Sequence, residues 1–161
     1  MAKSNKIYVF TDGSVDPVSK VGYGASLVTT SLDDSIEMLQ ELLKVKRFEN
    51  TSSTKLEIQT LLWVLEEIIP FSGELFIYTD SQNIVKLLDR QGRLEKNNFH
   101  TKQNRLINNS ELYQDFFRLI NEMDIRIVKI RGHNKTRLKD YIDKIFTLVD
   151  RASRKALREK I

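Results

Sequence analysis

Residues 7–14, Ile-Tyr-Val-Phe-Thr-Asp-Gly-Ser, are the stretch of this 161-residue chain from which its fold can be worked out. Residues 7–11 form a short apolar run, which is typical of a central strand buried on both faces. Asp12 and Gly13 follow directly, so the run ends in a carboxylate and a turn-forming residue. In open α/β sheets, ligands gather at the carboxyl ends of the strands. We therefore expect Asp12 to lie at the edge of a sheet where a ligand can reach it.

A second strand with the same kind of ending precedes Asp80. Residues 74–79 predict a strand, and residues 81–89 predict a helix that closes near Gly92. Two Thr-Asp strand ends make Asp12 and Asp80 a candidate pair of carboxylates at one sheet edge. An Asp after a strand also commonly starts a turn or caps a helix. For Asp80, capping is an equally good interpretation from these residues alone.

The rest of the chain predicts a mixed sheet with helices on its faces, in the order β-β-β-α-β-α-α-β-α. Residues 36–48 carry both helical and edge-strand spacing, and residues 93–107 are polar and basic, as expected of a loop. The remaining predicted elements are strands at 21–30 and 125–130, a helix beginning with Ser53 or Thr54 as its cap and stopped by Pro70, and helices at about 110–123 and 139–160.

The composition limits the class of protein. With 40% hydrophobic and 30% charged residues, residues 1–161 are expected to form a single domain with its own core. The absence of Cys excludes a disulfide framework, a thiolate metal site and a cysteine nucleophile. The longest apolar stretch, residues 61–71, is broken by Glu66 and Glu67, and the polar residues 1–6 do not resemble a signal peptide. We expect a soluble, cytoplasmic protein without a membrane partner.

The net charge of +4 is unevenly distributed. Residues 126–161 carry twelve Lys and Arg against four Asp and Glu, a balance of +8, whereas residues 1–125 have a balance of −4. A basic C-terminal part on a mildly acidic body is typical of a protein that binds a polyanion, with a phosphate backbone as the first candidate. A solvated basic helix would have the same composition.

Residues 10–14 also resemble the aspartate motif of the haloacid dehalogenase-like phosphatases. In that family the nucleophilic Asp lies two residues before the second Asp, and here that position is Phe10. A phenylalanine cannot form an aspartyl-phosphate, so this interpretation fails on chemistry.

Six short motifs follow one another over nearly the whole chain. They are Thr11-Asp12-Gly13-Ser14, Gly22-Tyr23-Gly24-Ala25, Thr51-Ser52-Ser53-Thr54-Lys55-Leu56-Glu57, Thr79-Asp80-Ser81-Gln82, Arg131-Gly132-His133 and Asp150-Arg151-Ala152-Ser153-Arg154. With these motifs in this order, the sequence resembles the type 1 ribonuclease H family. Each motif is weak by itself, but the ordered set is highly specific.

The resemblance implies an RNase H-like fold and metal-dependent cleavage of the RNA strand of RNA/DNA hybrids, giving 5′-phosphate and 3′-hydroxyl ends. It also implies four catalytic, metal-binding carboxylates, namely Asp12, Glu57, Asp80 and Asp150. Two Mg²⁺ ions, or Mn²⁺, would activate water and stabilise the leaving oxygen, and oxygen ligands suit them. By this analogy Asp12 bridges both ions. For Glu57, a favourable position at the start of a helix is the alternative explanation.

The resemblance also implies roles outside the carboxylates. His133 is expected to act catalytically, in proton transfer or in product and metal release, because an imidazole titrates in the required range. The expected substrate-binding residues are Gly13, Ser14, Ser53, Thr54, Gln82 and Arg131. The expected partner is an RNA/DNA hybrid, and we expect a monomer without an obligate protein partner.

Three departures from the family pattern affect these expectations. Ser53 and Thr54 stand where the family commonly has Asn, and their hydroxyls can still bond a ribose 2′-OH. Asp16 stands near the first strand where Asn is frequent and adds negative charge beside the substrate path. The spacing from His133 to Asp150 is longer than usual, and the additional residues, about 134–140, form either a basic flap over the backbone or a solvated loop.

The identity of the fourth ligand depends on how the last helix is aligned. Spacing from His133 favours Asp143, whereas the residues after Asp150 continue the family's helix pattern. Since Asp143 and Asp150 are seven residues apart, almost two helical turns, helix geometry alone does not distinguish them. We predict Asp150.

Two other functions remain as alternatives. One is a nuclease of the same fold with another nucleic-acid substrate, and the other is a catalytically silent module that binds hybrids. Four carboxylates beside a phosphate backbone would hinder binding alone, which argues against the silent module.

Overall fold

The computed structural model describes residues 5–130 and 137–160. They form a five-stranded sheet in the order β3-β2-β1-β4-β5 with helices on its faces. This confirms the mixed, RNase H-like sheet predicted from the sequence. The elements are β1 (Lys6–Asp16), β2 (Val21–Thr29), α1 (Ile36–Gln40), β3 (Lys44–Phe48), α2 (Ser53–Ile68), β4 (Glu74–Thr79), α3 (Gln82–Lys96), α4 (Ser110–Glu122), β5 (Asp124–Lys129) and α5 (Arg137–Glu159).

The sheet changes direction at β1. This strand pairs antiparallel with β2 on one side and parallel with β4 on the other. Phe10 lies opposite Tyr78 in the parallel register. Asp12 and Asp80 each stand two residues further along, so the chain directions of β1 and β4 bring both to the same sheet edge. This register confirms the expectation from the sequence that Asp12 and Asp80 share a sheet edge.

Two apolar clusters cover the two faces of the sheet. On one face, α2, α3 and α4 pack on the strands through buried residues such as Ile58, Leu87 and Phe116. On the other face, Ile145 and Val149 of α5 pack against residues of β1 and β2. Helices on opposite faces therefore reach the same sheet edge, α2 from one side and α5 from the other.

Helix α2 lies close to the β1–β2 hairpin because three strand residues that face it are glycines, namely Gly13, Gly22 and Gly24. A Cβ atom on Gly24 would lie 2.2 Å from the Thr60 hydroxyl, and one on Gly13 would lie 2.8 Å from the Leu56 side chain. Real Cβ atoms do not approach neighbours this closely, so a larger residue at either position would force the Thr60 or the Leu56 side chain to move. The close approach holds the first turns of α2, which carry Glu57, against the strand that carries Asp12.

The predicted end of α3 near Gly92 is wrong. The helix continues through Gly92 to Lys96, and Leu94 in the added part is buried. A Cβ atom added at Gly92 would have no neighbour within 4 Å beyond the helix's own backbone, so this residue lies on the open side of the helix. Glycine in a helix interior costs only about 1 kcal/mol relative to alanine. Burial of Leu94 outweighs that cost, which the local sequence signal did not show.

Two other predicted boundaries shift. The N-cap of α2 is Ser52, rather than Ser53 or Thr54, and its side chain accepts a hydrogen bond from the Lys55 N–H. The ambiguous residues 36–48 contain both predicted elements in succession, the short helix α1 and the edge strand β3. Among the described residues no helix is long and apolar enough to cross a membrane.

Candidate active site

Four carboxyl groups meet at the sheet edge where β4 ends. The prediction that the first strand ends before Asp12 is wrong, because β1 continues past Asp12 to Asp16. Asp12, Glu57 and Asp80 line one small cavity of about 10 Å³, together with neighbouring Thr and Ser side chains. Asp150 of α5 reaches the same group, since its carboxyl hydrogen-bonds that of Asp12. Residues that are far apart in the sequence thus contribute acidic side chains to one place.

Asp12 has the most perturbed carboxyl group of the four. Burial, the hydrogen bond with Asp150 and the charges of Asp80 and Asp150 raise its pKa to about 8, although the Gly13 backbone N–H acts in the opposite direction. A carboxyl group with this pKa holds a proton at neutral pH when no cation is present. The metal-free Asp12 and Asp150 therefore share a hydrogen bond instead of repelling each other as two anions.

Glu57 is held by a serine from another element. The Ser81 hydroxyl donates a 2.6 Å hydrogen bond to Glu57 Oε2 and accepts one from the Ile84 N–H at 3.1 Å. Burial and the charge of Asp80 raise the pKa of Glu57, while the Ser81 hydrogen bond lowers it. Ser81 therefore ties the beginning of α3 to a carboxylate on α2.

Asp80 does not serve as a helix cap. The N-cap of α3 is Ser81, so the capping alternative for Asp80 is wrong. Burial and the charge of Asp150 raise the pKa of Asp80, whose own backbone N–H acts against them. The residue as a whole is exposed, which limits this desolvation and leaves its carboxyl open to solvent at the site.

Asp150 is the aspartate of α5 that reaches the other carboxyl groups. Besides the bond to Asp12, it accepts a hydrogen bond from Arg154 Nε at 3.1 Å, one turn further along the helix. The charge of Asp150 acts on both Asp12 and Asp80. At Asp143 the structure records the backbone carbonyl accepting a bond from the Thr147 hydroxyl. The geometry thus favours Asp150 over Asp143 as the fourth member of the cluster.

The predicted substrate-binding residues have different surroundings. Ser53 and Thr54 are exposed in the first turn of α2, and Gln82 is exposed as the first residue of α3. Gly13 packs under Leu56, and the Ser14 hydroxyl is hydrogen-bonded to Ser153 instead of being free at the surface. The predictions for Arg131 and His133 concern residues outside the described part of the chain.

Asp16 and Phe99 have local structural contacts. The Asp16 carboxylate accepts bonds from the Val18 N–H and the Ser19 hydroxyl, and these lower its pKa. It therefore closes the turn between β1 and β2.

Phe99 packs against Phe117, with 6.2 Å between the ring centroids, so its ring belongs to the core beneath α4.

A broad groove lies at the beginning of α2, the helix that carries Glu57. It has a volume of about 630 Å³ and is lined by Ser52, Thr54, Arg90 and Arg105 among other residues. Two guanidinium groups and two hydroxyls suit a phosphate–sugar backbone. Of the predicted basic flap, Arg137 and Lys139 lie in the first turn of α5, and residues 134–136 fall outside the described part of the chain.

The side chains of the cluster have donor atoms that suit a hard metal ion, although they are not spaced around one. Within residues 5–130 and 137–160, no three His, Asp or Glu side chains are spaced as an assembled metal site. Three of the carboxyls instead have other partners, Asp12 and Asp150 with each other and Glu57 with Ser81. All donors at the site are oxygens around a cavity of about one water molecule. Hard cations such as Mg²⁺ prefer oxygen ligands, so the chemistry of the donor set fits.

Similarity to known proteins agrees with this arrangement. The family model described as RNase H matches residues 4–155. A protein named ribonuclease H from Acetivibrio thermocellus is 25% identical over 146 residues, which are 88% of this chain and 92% of that protein. Another ribonuclease H, from Caldicellulosiruptor saccharolyticus, is 25% identical over 99 residues, which are 60% of this chain and 68% of that protein.

Solved structures show the same fold. The solution structure of the PFV RNase H domain superposes with a TM-score of 0.64 over 93% of this chain and 94% of that one, at 13% identity. The foamy viral protease-reverse transcriptase in complex with dsDNA gives the same values. Because the family model covers residues 4–155 of a chain with this fold, the protein belongs to the ribonuclease H family of enzymes.

Proposed function

We propose that this protein hydrolyses the RNA strand of RNA/DNA hybrids as an endonuclease, leaving 5′-phosphate and 3′-hydroxyl ends. The observation that carries the proposal is the convergence of Asp12, Glu57, Asp80 and Asp150 at one sheet edge. Phosphodiester hydrolysis needs positive charge beside a substrate that is already anionic, and divalent cations held by carboxylates supply that charge.

In this proposal the four carboxylates hold divalent cations, Mg²⁺ or Mn²⁺, two per site. The chemistry that such ions supply when bound is activation of water and stabilisation of the leaving oxygen. Binding requires the Asp12 carboxyl to lose its proton, because only the ionised form is a strong ligand. Ser81 keeps Glu57 at the site, and Arg154 keeps a positive charge beside Asp150.

The hydrolysis breaks the bond between phosphorus and the 3′-oxygen. The oxygen of water joins the phosphorus, and the 3′-oxygen takes up a proton. We propose that His133 assists this proton transfer or the release of products. Ser53 and Thr54 are exposed, and we propose that their hydroxyls bond the ribose 2′-OH, which distinguishes RNA from DNA.

We propose that the hybrid lies across the carboxylate cluster and along the groove that contains Arg90 and Arg105. Gln82 and Arg131 are further proposed contacts, and Lys135, Arg137 and Lys139 are proposed to face the phosphate backbone. Residues 1–161 act as one catalytic domain, as a monomer without an obligate protein partner, in the cytoplasm. The silent-module alternative is disfavoured because uncompensated carboxylates would repel the backbone of a bound hybrid.

Three duplexes of one sequence test the proposal: an RNA/DNA hybrid, an RNA duplex and a DNA duplex, each incubated with Mg²⁺ or with EDTA. We expect cleavage of the RNA strand of the hybrid alone, in Mg²⁺ alone, with 3′-hydroxyl ends that a polymerase can extend. Cleavage of the DNA duplex would indicate a nuclease with another substrate. Binding of the hybrid without cleavage would indicate the silent module.

A further inference from the structure

Ser14 and Ser153 form a polar link between the strand and the helix that carry two of the carboxylates. Ser14 lies two residues after Asp12, so both side chains are on the α5 face of β1. Ser153 lies three residues after Asp150, so it occupies a neighbouring position on one side of α5. The Ser14 and Ser153 hydroxyl oxygens are 2.9 Å apart. The serine pair and the Asp12–Asp150 pair thus run side by side between the same two elements.

The direction of these hydrogen bonds follows from counting hydrogens. Ser153 Oγ also lies 3.0 Å from the Asp150 carbonyl oxygen, which can only accept. The single hydroxyl hydrogen of Ser153 therefore goes to that carbonyl, and Ser14 must donate to Ser153. The result is a chain of two bonds from β1 to the peptide group of Asp150 itself.

The serine link is a directional polar contact among buried apolar side chains of α5. Ser153 is fully buried at 0% exposure, between Val149 and Ala156, which are also buried. Apolar packing is not directional, so such a contact leaves the position of a helix along a strand weakly specified. The bond to the Asp150 carbonyl alone satisfies the Ser153 donor, so the bond from Ser14 is an additional contact between β1 and α5.

We propose that Ser14 and Ser153 are positioning residues that hold α5 on β1 so that Asp150 stays opposite Asp12 at the metal site. This inference rests on the proposed function for the metal site, and it changes the expected role of Ser14 from contact with substrate to support of the site. The serine link fixes where the Asp150 peptide lies relative to β1, and so relative to Asp12.

The test measures Mg²⁺ binding by calorimetry on the protein without nucleic acid, followed by kcat and KM for hybrid cleavage. We expect Ser14→Ala and Ser153→Ala each to weaken Mg²⁺ binding about tenfold, as loss of support around a metal ligand does. The double variant should bind Mg²⁺ no more weakly than the weaker-binding single variant, because both substitutions remove the same Ser14–Ser153 hydrogen bond. KM for the hybrid should stay within about twofold, because neither hydroxyl contacts substrate.

Two further variants serve as controls. Ser14→Thr keeps the hydroxyl and should restore Mg²⁺ binding, which also preserves the test if Ser153→Ala does not fold. Thr147→Ala removes a similar hydroxyl-to-carbonyl bond on the exposed side of α5 and should bind Mg²⁺ as the parent does. Unchanged Mg²⁺ binding in both alanine variants would overturn the proposal. So would a raised KM in Ser14→Ala with Ser153→Ala at parent values.

The two proposals can fail separately. Failure of the parent protein to cleave hybrid in Mg²⁺ would refute the proposed function, yet calorimetry would still report whether the serine link supports the metal site. Normal cleavage by the parent, together with unchanged Mg²⁺ binding in Ser14→Ala and Ser153→Ala, would refute only the serine link.

Discussion

At the scale of single residues, Asp12 is the group whose surroundings act most strongly on its charge. Its raised pKa arises first from burial and then from Asp150 and Asp80. The folded protein therefore binds a proton at Asp12 that the unfolded chain, with an ordinary aspartate, has already lost at neutral pH. Stability follows the difference in bound protons, so the metal-free protein loses stability as the pH rises from about 4 through about 8.

Asp12→Asn should remove this loss. Asparagine has the same shape, stays neutral at every pH and can donate to Asp150. Without metal at pH 8, we expect the variant to melt at least about 2 °C above the parent, the shift that roughly 1 kcal/mol gives in a chain of this length. At pH 5 the two proteins should differ less, because Asp12 is then protonated in the folded parent. Thermal melts in EDTA at both pH values measure this.

Asp16→Asn is the matched control on the same strand. The Asp16 carboxylate is hydrogen-bonded as an anion and its pKa is lowered, so its effect has the opposite sign. Its contribution to stability is present above the ordinary aspartate pKa and is lost as the pH falls through the lowered one. Asp16→Asn should therefore not raise the melting temperature at pH 8. A lower melting temperature in Asp12→Asn at pH 8 would contradict the raised pKa of Asp12 as a cost to stability.

At the scale of elements, α3 shows how tertiary packing overrides a local signal. Gly92 is a typical helix terminator in sequence, yet the helix continues past it because Leu94 is buried. A Cβ at this position would meet no other atom. The glycine thus carries a backbone entropy cost that no contact in the described structure requires.

Gly92→Ala should stabilise the protein by about 0.5–1 kcal/mol, which raises the melting temperature by roughly 1–4 °C. Gly24→Ala is the opposite case, because its Cβ would lie 2.2 Å from the Thr60 hydroxyl under α2. That variant should melt well below the parent. If Gly92→Ala were the destabilising variant, α3 would not pass through residue 92 as a regular helix.

The sequence was sufficient to predict the sheet and the edge at which Asp12 and Asp80 lie. It was not sufficient to predict hydrogen-bond partners that depend on how separate elements pack together. Two Thr-Asp strand ends and an apolar first strand were enough to predict that Asp12 and Asp80 share an edge. By contrast, Ser81 as the partner of Glu57 and Ser153 as the partner of Ser14 depend on how α3 and α5 lie on the sheet. A serine in a helix carries no local signal that shows which neighbour it bonds.

At the scale of the whole molecule, the site exists because elements from both ends of the chain meet at one edge. β1 and the end of β4 contribute Asp12 and Asp80, α2 arrives from one face with Glu57, and α5 arrives from the other with Asp150. None of these elements could form the cluster alone. The close approach of α2 over the glycines and the serine link of α5 are the contacts that keep both helices at that edge.

The claim that the four carboxylates form the catalytic site is tested most directly by Mg²⁺-supported turnover of a hybrid. The variants each neutralise one carboxylate. Asp12→Asn, Glu57→Gln, Asp80→Asn and Asp150→Asn should each lower turnover at least about 100-fold, a loss of roughly 3 kcal/mol of transition-state stabilisation. Asp143→Asn, two helical turns before Asp150 on α5, is the control and should stay within about threefold of the parent. Near-normal turnover in Asp150→Asn with an inactive Asp143→Asn would contradict the account.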